Sequence, residues 1–215
     1  MKVKICGITD AITGMAAVQY GADAIGLVFA ESKRKVSIEK AREIVHGLPK
    51  DVYKVGVFVN EPKGEIERIA SIVGLTHIQL HGDETTDFCR SLSLPVIKAI
   101  SFQDNDSLKI CTNLPSEFIL LDSPKGKYRG GNGTTFNWEE VDLKLVGHKK
   151  VILAGGLNNE NVEQAIKIMK PYMVDVSSGV ETKGIKDLTK INSFIEKVKG
   201  SKKGGKPIEH IYITE

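Results

Sequence analysis

The sequence predicts an α/β fold, a single closed barrel of eight parallel strands of the (β/α)8 or TIM type. Short apolar runs rich in β-branched residues alternate with longer segments of helical spacing, which is the pattern of βαβ units. Eight such runs occur within 215 residues, which is roughly the minimum length of a closed barrel. A doubly wound open sheet usually needs only about five or six strands, so the strand count favours the barrel.

The predicted strands are short and are followed by turn-forming residues such as Gly, Ser, Asn and Pro. They cover residues 3–6, 24–28, 54–59, 77–80, 96–100, 118–121, 151–154 and 173–176. Helical spacing is clearest over residues 38–47, 64–73 and 159–169. Ser37 and Asn158 stand where N-terminal capping residues are expected, so the turn signals agree with the periodicity.

The repeating pattern stops after Val198. This predicts one barrel domain over residues 1–198, followed by a Lys/Gly-rich tail over residues 199–215. We expect the tail to be a flexible terminus. A short docking strand over residues 208–213 is the alternative.

The composition is that of a soluble globular protein, with 41% hydrophobic and 27% charged residues. The net charge of +3 owes much to lysines near the C-terminus, so a nearly neutral barrel argues against nucleic-acid binding. No apolar run suits a signal peptide or a membrane span. The odd number of cysteines, without CxxC spacing, favours a reducing cytoplasm. Scattered histidines predict no metal site. From the cysteines and the absence of a long apolar run, we expect a cytoplasmic protein without a membrane partner.

Cys6 ends the first predicted strand and precedes Gly7, and catalytic groups of such barrels lie at the C-terminal ends of strands. A nearby cation such as Lys4, or the cationic surroundings of a phosphate pocket, could raise the thiolate fraction of Cys6 and so favour a catalytic role. Burial as a small apolar side chain is the equally weighted alternative. Cys89 and Cys111 fall in helical segments and are interpreted as structural.

Asp122 follows the sixth predicted strand and precedes a loop rich in glycine. A carboxylate at the barrel mouth is a candidate general acid or base, and a capping role within the loop is the alternative. Together with Cys6 it would supply an acid and a base of different chemical type, as a proton-transferring isomerase requires. The glycines of this loop are Gly126, Gly130, Gly131 and Gly133.

The loops after strands seven and eight have the composition of phosphate-binding loops. Gly155 and Gly156 follow strand seven, while Ser177, Ser178 and Gly179 follow strand eight. Small residues leave backbone N–H groups able to face an anion, and serine hydroxyls add donors. Tight turns also use glycine, but two such loops at neighbouring strands predict a small phosphorylated ligand.

Four further polar residues are candidates for contact with a ligand. Arg34 follows strand two and has a planar donor pair suited to a carboxylate, although a charged loop is more often solvated surface. Gln79 and His81 flank the end of strand four, where His81 could orient a hydroxyl or transfer a proton, or form a polar rim. Asp175, inside strand eight, is expected to organise hydrogen bonds in the barrel interior.

Eight motifs occur in the order found in the phosphoribosylanthranilate isomerase family, which the chain resembles over residues 1 to about 198. The opening and closing motifs are the most specific of the set. They read KICGIT (4–9), GADAIG (21–26), SKR (32–34), VGVFVN (55–60), QLHG (79–82), LLD (120–122), LAGGL (153–157) and VDVSSGVE (174–181).

The resemblance implies a monofunctional isomerase that performs an Amadori rearrangement in tryptophan biosynthesis. It implies that Cys6 is the general base and Asp122 the general acid, and that Arg34 holds the anthranilate carboxylate. The loops at Gly155-Gly156 and at residues 177–179 would hold the phosphate. No cofactor is implied, because the imine formed on ring opening serves as the electron sink.

Two alternatives remain open on the residues alone. Another phosphosugar barrel, such as an aldose–ketose isomerase of histidine biosynthesis or a phosphate-binding lyase, would share the two loops. Two aspartates are expected as acid and base in the histidine case, so Cys6 argues against it. A catalytically silent binding barrel is the second alternative, and the presence of a base, an acid and a carboxylate anchor argues against that. The sequence leaves the choice between monomer and homodimer open.

Overall fold

A computed structural model describes residues 1–124 and 135–200. Its eight parallel strands are hydrogen-bonded in the order β1 to β8 and close on each other through β1 and β8, so the predicted barrel is confirmed. The strands are β1 Lys2–Cys6, β2 Ala24–Val28, β3 Tyr53–Phe58, β4 His77–Leu80, β5 Val96–Ser101, β6 Phe118–Asp122, β7 Lys150–Leu153 and β8 Met173–Val176. Each of these strands lies within about a residue of its predicted position.

Helices cover the outside of the barrel. In the described residues the α-helices are α1 Ala11–Gln19, α2 Ile38–His46, α3 Lys63–Val73, α4 Thr86–Ser91, α5 Val162–Met169 and α6 Leu188–Lys199. A 3₁₀ helix, Asn105–Asn113, connects β5 to β6, and two shorter ones, Trp138–Glu140 and Leu143–Val146, precede β7. A short two-stranded hairpin of β9 Glu181–Thr182 and β10 Ile185–Lys186 follows β8.

The capping predictions had different outcomes. The Ser37 hydroxyl accepts a hydrogen bond from the Lys40 backbone N–H, so the predicted start of α2 is confirmed. The prediction that a helix begins at Asn159 is wrong. The Asn158 side chain accepts hydrogen bonds from the N–H groups of Glu160 and Asn161, which fixes a turn, and α5 begins after it at Val162.

The alternation of side chains along each strand separates two apolar clusters. The outward-facing side chains pack under the helices in a large cluster that includes Ile5, Ile25 and Leu121. The inward-facing side chains form a second cluster inside the barrel, with Val55 and Leu120 among its members. Residues two apart on a strand face the same side of the sheet. An inward-facing residue near the middle of a strand therefore shares the barrel interior with the inward-facing residue at the end of that strand.

The N-terminal end of the barrel is filled by aromatic side chains. Tyr53 and His77 have ring centroids 4.4 Å apart, and His77 lies 5.8 Å from Phe118. Phe118 in turn lies 5.7 Å from Tyr172. These four rings, here called the floor, leave the opposite end of the strands as the open one.

Lys199, which the sequence analysis assigned to the tail, is the last residue of α6, and its ammonium lies 3.0 Å from Asp23. The glycine-rich loop with Gly126, Gly130, Gly131 and Gly133 lies outside the described residues, as does the tail from residue 201 on with its candidate strand at 208–213. In the part of the chain that is described, no helix is long and apolar enough to cross a membrane.

Candidate active site

A cavity of about 630 Å³ opens at the C-terminal ends of the strands. This is where parallel barrels carry their sites, because the loops that follow the strands meet there. Ten of the eleven predicted site residues line it, namely Cys6, Arg34, Gln79, His81, Asp122, Gly155, Gly156, Asp175, Ser177 and Ser178. The barrel therefore brings together in one place side chains that are far apart in sequence.

Cys6, the last residue of β1, is buried, with 8% of its surface exposed. Its sulfur forms a hydrogen bond with the Lys4 ammonium, since both side chains face inward from the same strand. Burial nevertheless raises the pKa of the Cys6 thiol above its ordinary value, and the Lys4 charge offsets only part of that effect. The predicted cation is thus present, but the free site holds mainly the protonated thiol at neutral pH.

Close packing fixes the position of this thiol. A Cβ added at Gly26, on the neighbouring strand β2, would lie 2.7 Å from the Cys6 sulfur and 3.1 Å from the Lys4 nitrogen. The two functional atoms therefore occupy the space that the glycine leaves open. On the other side, the Ser177 hydroxyl donates a hydrogen bond of 3.1 Å to the Cys6 carbonyl oxygen, which ties the end of β1 to the loop after β8.

Lys4 is fully buried and forms an ion pair with Asp175, its register partner on β8. The ammonium donates to both carboxylate oxygens at 3.0 Å. Lone buried charges are expensive, so the pairing is what allows either group inside the barrel. The expectation that Asp175 organises hydrogen bonds in the interior is confirmed by this contact.

Asp122 lies on β6, across the mouth from Cys6, with 4% of its surface exposed. Its carboxylate accepts a hydrogen bond of 2.8 Å from the Ser123 N–H and lies 3.4 Å from Nε2 of His81. Burial raises the pKa of Asp122 to about 6, with a smaller contribution from the charge of Asp175. A carboxyl group with a pKa in this range can both release and take up a proton near neutral pH.

Gln79 and His81 face the same cavity from β4 and the residue that follows it. Gln79 is 2% exposed, and among the described residues its side-chain oxygen has no hydrogen-bond partner. Unsatisfied buried polar atoms are uncommon and often mark a functional site. The loop after His81 is anchored by Glu84, which accepts from the Gly82 N–H at 2.9 Å and pairs with Lys98 at 2.7 Å.

Arg34 is held by a carboxylate instead of projecting into solvent. Its Nε donates to Glu181 Oε1 at 2.6 Å and its Nη2 donates to Oε2 at 2.9 Å. The side chain is only 20% exposed, so the solvated-surface alternative does not hold for Arg34, whereas its loop neighbours Glu31, Lys33 and Lys35 are exposed. The Lys186 ammonium lies 2.5 Å from the same Glu181 carboxylate, and the Lys186 side chain is only 3% exposed.

The two predicted phosphate-binding loops pack directly against each other. Gly155 and Gly156 both adopt positive φ angles, of 80° and 63°, which favour glycine. Gly179 does not line the cavity, but a Cβ at this position would collide with the Leu157 carbonyl oxygen. Its small size therefore serves the contact between the two loops.

Four residues around this site had no predicted role: Glu181, Lys186, Glu84 and Lys98. Glu181 was visible only as the last letter of a motif, and Lys186 follows it in a short hairpin without a distinctive signal. No group of three or more His, Cys, Asp or Glu side chains within residues 1–124 and 135–200 has an arrangement suited to a metal ion.

Comparison with known proteins identifies the family. A sequence profile of N-(5'phosphoribosyl)anthranilate (PRA) isomerase matches residues 3–197. The chain belongs to this family. It is therefore an isomerase that converts phosphoribosylanthranilate in tryptophan biosynthesis, and the alternatives of a histidine-pathway isomerase, a lyase or a silent barrel are set aside.

Two members of the PRA isomerase family illustrate the similarity of this chain, one in sequence and one in structure. The N-(5'-phosphoribosyl)anthranilate isomerase of Bacillus cereus strain G9842 is 54% identical over 200 residues, covering 93% of this chain and 98% of that protein. The crystal structure of the Thermotoga maritima enzyme has 43% identity and a TM-score of 0.86, covering 94% of this chain and 100% of that one.

A further crystal structure of a PRA isomerase contains reduced 1-(o-carboxyphenylamino)-1-deoxyribulose 5-phosphate. It is 42% identical to this chain with a TM-score of 0.82, and the alignment covers 94% of this chain and 100% of that one. The Thermotoga maritima enzyme is dimeric.

Proposed function

We propose that this site isomerises N-(5'-phosphoribosyl)anthranilate by general acid–base catalysis, with Cys6 as the base and Asp122 as the acid. The observation that carries the proposal is the placement of these two proton-transfer groups on opposite walls of one cavity. The Arg34 side chain and the two glycine-serine loops line the same cavity. A substrate with a carboxylate at one end and a phosphate at the other fits this distribution of donors.

In the proposed sequence, Asp122 donates its proton to the ribose ring oxygen while the anthranilate nitrogen forms a double bond to C1. The ring opens to an imine, and the ring oxygen becomes a hydroxyl. Cys6 as thiolate then removes the proton from C2, and the electron pair moves toward the imine to give an enolamine. The enolamine tautomerises to the ketose. The imine accepts the electrons, so the reaction needs no cofactor.

The neighbouring polar groups have supporting roles in this proposal. His81, 3.4 Å from the Asp122 carboxylate, orients that carboxyl group and can hydrogen-bond a substrate hydroxyl. The Gln79 oxygen accepts from a second hydroxyl, which would satisfy its buried lone pairs. Asp175 holds Lys4 beside the base and has further lone pairs for a substrate hydroxyl.

The ends of the substrate are bound by two different kinds of group. Arg34 binds the anthranilate carboxylate with a planar pair of donors. The backbone at Gly155 and Gly156 binds the phosphate, together with the hydroxyl of Ser178 and with that of Ser177 once it turns away from the Cys6 carbonyl oxygen. Gly179 supports this site by keeping the two loops in contact. The bound reduced product in the related crystal structure carries both of these anionic groups, which supports the assignment.

We further propose that the protein works in a reducing cytoplasm as a monomer or homodimer. Cys6, Cys89 and Cys111 are all buried as free thiols, and this pattern suits a compartment that keeps thiols reduced. The barrel domain would supply all of the catalytic groups, and the tail from residue 201 on has no assigned part in the reaction.

The direct test is the loss of anthranilate-type fluorescence when freshly prepared phosphoribosylanthranilate meets the purified protein. Wild type should remove the signal rapidly. Cys6→Ala and Asp122→Asn should each lower kcat by about 10²–10⁴-fold, which is the usual contribution of a general base or acid. Cys89→Ala is the matched control, because it removes a buried thiol away from the cavity. Near-normal kcat in folded Cys6→Ala would contradict the role of this thiol.

The pH dependence of kcat/KM tests the pairing of acid and base. Below about pH 6 both groups are protonated, so the thiolate is lost as the pH falls. Above the raised pKa of Cys6 both groups are ionised, so the acid is lost. Between these limits the form with protonated Asp122 and ionised Cys6 is a constant minority, and we expect a plateau. A single-limbed profile across this range would contradict the two-group mechanism.

A further inference from the structure

The contact between Arg34 and Glu181 uses one particular edge of the guanidinium group. Nε and Nη2 donate to the two oxygens of Glu181, which is the side-on edge of the fork. The end-on edge, formed by Nη1 and the outer N–H of Nη2, is a second planar donor pair on the same group. One arginine can therefore hold two carboxylates at once, one on each edge.

The arginine stem is fixed as well as its head group. Any Cβ at Gly7 would collide with Cδ of Arg34, so the stem lies directly over the turn that follows Cys6. The packed stem and the contact with Glu181 together fix the guanidinium group, so its end-on edge has a single orientation. Because Arg34 and Cys6 line the same cavity, this orientation is also fixed relative to the catalytic thiol.

Lys186 sets the net charge of the cluster that it forms with Arg34 and Glu181. Its ammonium lies 2.5 Å from Oε1 of Glu181 and donates to the Ser177 carbonyl oxygen at 3.0 Å. With two cations and one carboxylate, the Arg34–Glu181–Lys186 cluster has a net charge of +1. The side chains of Lys186 and Glu181 are 3% and 7% exposed. A mainly buried excess charge of this kind favours one further anion.

The short hairpin of β9 and β10 places Glu181 and Lys186 side by side in this cluster. Lys186 on β10 is the register partner of Glu181 on β9. The Thr182 hydroxyl donates to Asp187 at 2.7 Å, and the Lys190 ammonium donates to the Glu181 carbonyl oxygen at 2.8 Å. The hairpin is thus anchored to the start of α6, and it connects Arg34 to the loop at Ser177.

We propose that Glu181 is a positioning residue that directs the end-on edge of Arg34 toward the substrate carboxylate, and that Lys186 neutralises Glu181 so that the cluster accepts that carboxylate. This inference rests on the proposed role of Arg34 as the carboxylate anchor. Without Lys186, Glu181 would compete with the substrate for the same guanidinium charge. Without Glu181, the fork would sample several rotamers and lose order on binding.

The test compares two stable ligands. One is reduced 1-(o-carboxyphenylamino)-1-deoxyribulose 5-phosphate, and the other is its counterpart without the carboxyl group. Their affinity ratio isolates the carboxylate contact, since both carry the same phosphate. In wild type we expect a ratio of about 10–100, the size of a charge-assisted hydrogen-bonded pair. Arg34→Met should bring the ratio close to one.

Glu181→Gln should lower the same ratio about tenfold while leaving the affinity for the ligand without the carboxyl group unchanged. Its KM for phosphoribosylanthranilate should rise and kcat should change by less than about threefold, because the reacting atoms lie elsewhere. Lys186→Met should also lower the ratio, through the lost positive charge. A general loss of structure would instead weaken both ligands together.

The double variant Glu181→Gln/Lys186→Met provides a version without a buried unpaired lysine, in case Glu181→Gln folds poorly. It keeps the net charge of the cluster at +1 but reduces the side-on contact from two charge-assisted hydrogen bonds to a single neutral acceptor, so its ratio should fall as well. Glu65→Gln is the matched control, because Glu65 holds Arg68 by the same side-on edge on the exposed helix α3. That control should behave as wild type.

The outcomes separate this inference from the proposed function. If Arg34→Met abolishes the ratio while Glu181→Gln and the double variant keep it, Glu181 is not a positioning residue. If Arg34→Met itself keeps the wild-type ratio, Arg34 does not bind the carboxylate and the proposed anchor is wrong. A wild-type ratio in Lys186→Met overturns the charge-balancing role of that residue.

Discussion

The two ends of the barrel place lysine side chains in opposite surroundings. On the mouth side of the barrel, the side chains of Lys4 and Lys186 are 0% and 3% exposed, and each is paired with a carboxylate. At the floor, the Lys2 ammonium lies 4.6 Å from the Tyr53 ring centroid and that of Lys150 lies 5.0 Å from Tyr172, with both side chains partly exposed.

Charges at the mouth therefore depend on exact pairing, whereas those at the floor are held by hydration and by ring faces. Burial at the mouth also shifts the pKa values of Cys6 and Asp122. In the proposed mechanism the mouth carries the reaction at a cost in stability, whereas the floor contributes packing. Four substitutions test this difference between the two ends, in decreasing order of their predicted effect on stability.

Lys4→Met should have the largest effect on stability. It leaves the Asp175 carboxylate buried without its cation, and breaking a buried pair in this way costs about 3–5 kcal/mol. Urea unfolding monitored by circular dichroism measures the loss. The double variant Lys4→Met/Asp175→Leu should recover most of it, since no unpaired charge remains. A loss below about 1 kcal/mol for the single variant would mean that the mouth tolerates an unpaired charge.

Phe118→Ala should destabilise the protein by about 3 kcal/mol, because it removes a ring from the centre of the floor. The folded fraction should retain wild-type kcat, as the substitution lies at the opposite end from the cavity. Phe118→Leu, which preserves most of the volume, should cost less than about 1.5 kcal/mol. A large fall in kcat for Phe118→Ala under conditions where it is folded would break the division between the two ends.

Asp122→Asn should stabilise the protein near pH 8 by about 2–3 kcal/mol at most. Burial raises the folded-state pKa of Asp122 from 3.8 to about 6, so protonation favours the folded state. In wild type that stabilisation is present below about pH 4 and is lost as the pH rises through 6. Asparagine does not titrate, and the two unfolding free energies should converge at low pH. An unchanged difference between pH 4 and 8 would contradict the raised pKa.

Glu117→Gln should have the smallest effect, below about 0.5 kcal/mol. The Lys150–Glu117 contact is short, but its side chains are 41% and 60% exposed, and exposed pairs contribute little. Thermal unfolding at low and high salt gives the measurement. A loss comparable to that of Lys4→Met would show that charges at the floor are coupled as tightly as those at the mouth.

Together, the four substitutions test whether paired buried charges are confined to the mouth of the closed sheet and packing contacts to its floor. The same eight strands provide both ends, and parallel strands carry their loops for catalysis at one end only. Lys4 and Lys2 illustrate the difference, because both face inward from β1 but only Lys4 lies deep enough to need Asp175.

Local patterns in the sequence were enough to predict the strands, their order of occurrence and the strand-end positions of Cys6 and Asp122. These features follow from local patterns: apolar runs define strands, and the period of two defines which residues share a face. The glycine and serine residues after β7 and β8 were likewise predictable, because turns and anion-binding loops need small residues. The start of α5 was wrong because a local turn at Asn158 competed with the helix.

The charge pairs and the shifted pKa values, in contrast, arise only from contacts that form when the chain folds. Arg34 and Glu181 are 147 residues apart, and Lys4 and Asp175 are 171 apart, so neither contact has a local sequence signal. Barrel closure between β1 and β8 sets the second pair in register. Burial then raises the pKa values of the Cys6 thiol and the Asp122 carboxyl group. Burial and pairing depend on which strands become neighbours, and that is fixed only when the sheet closes.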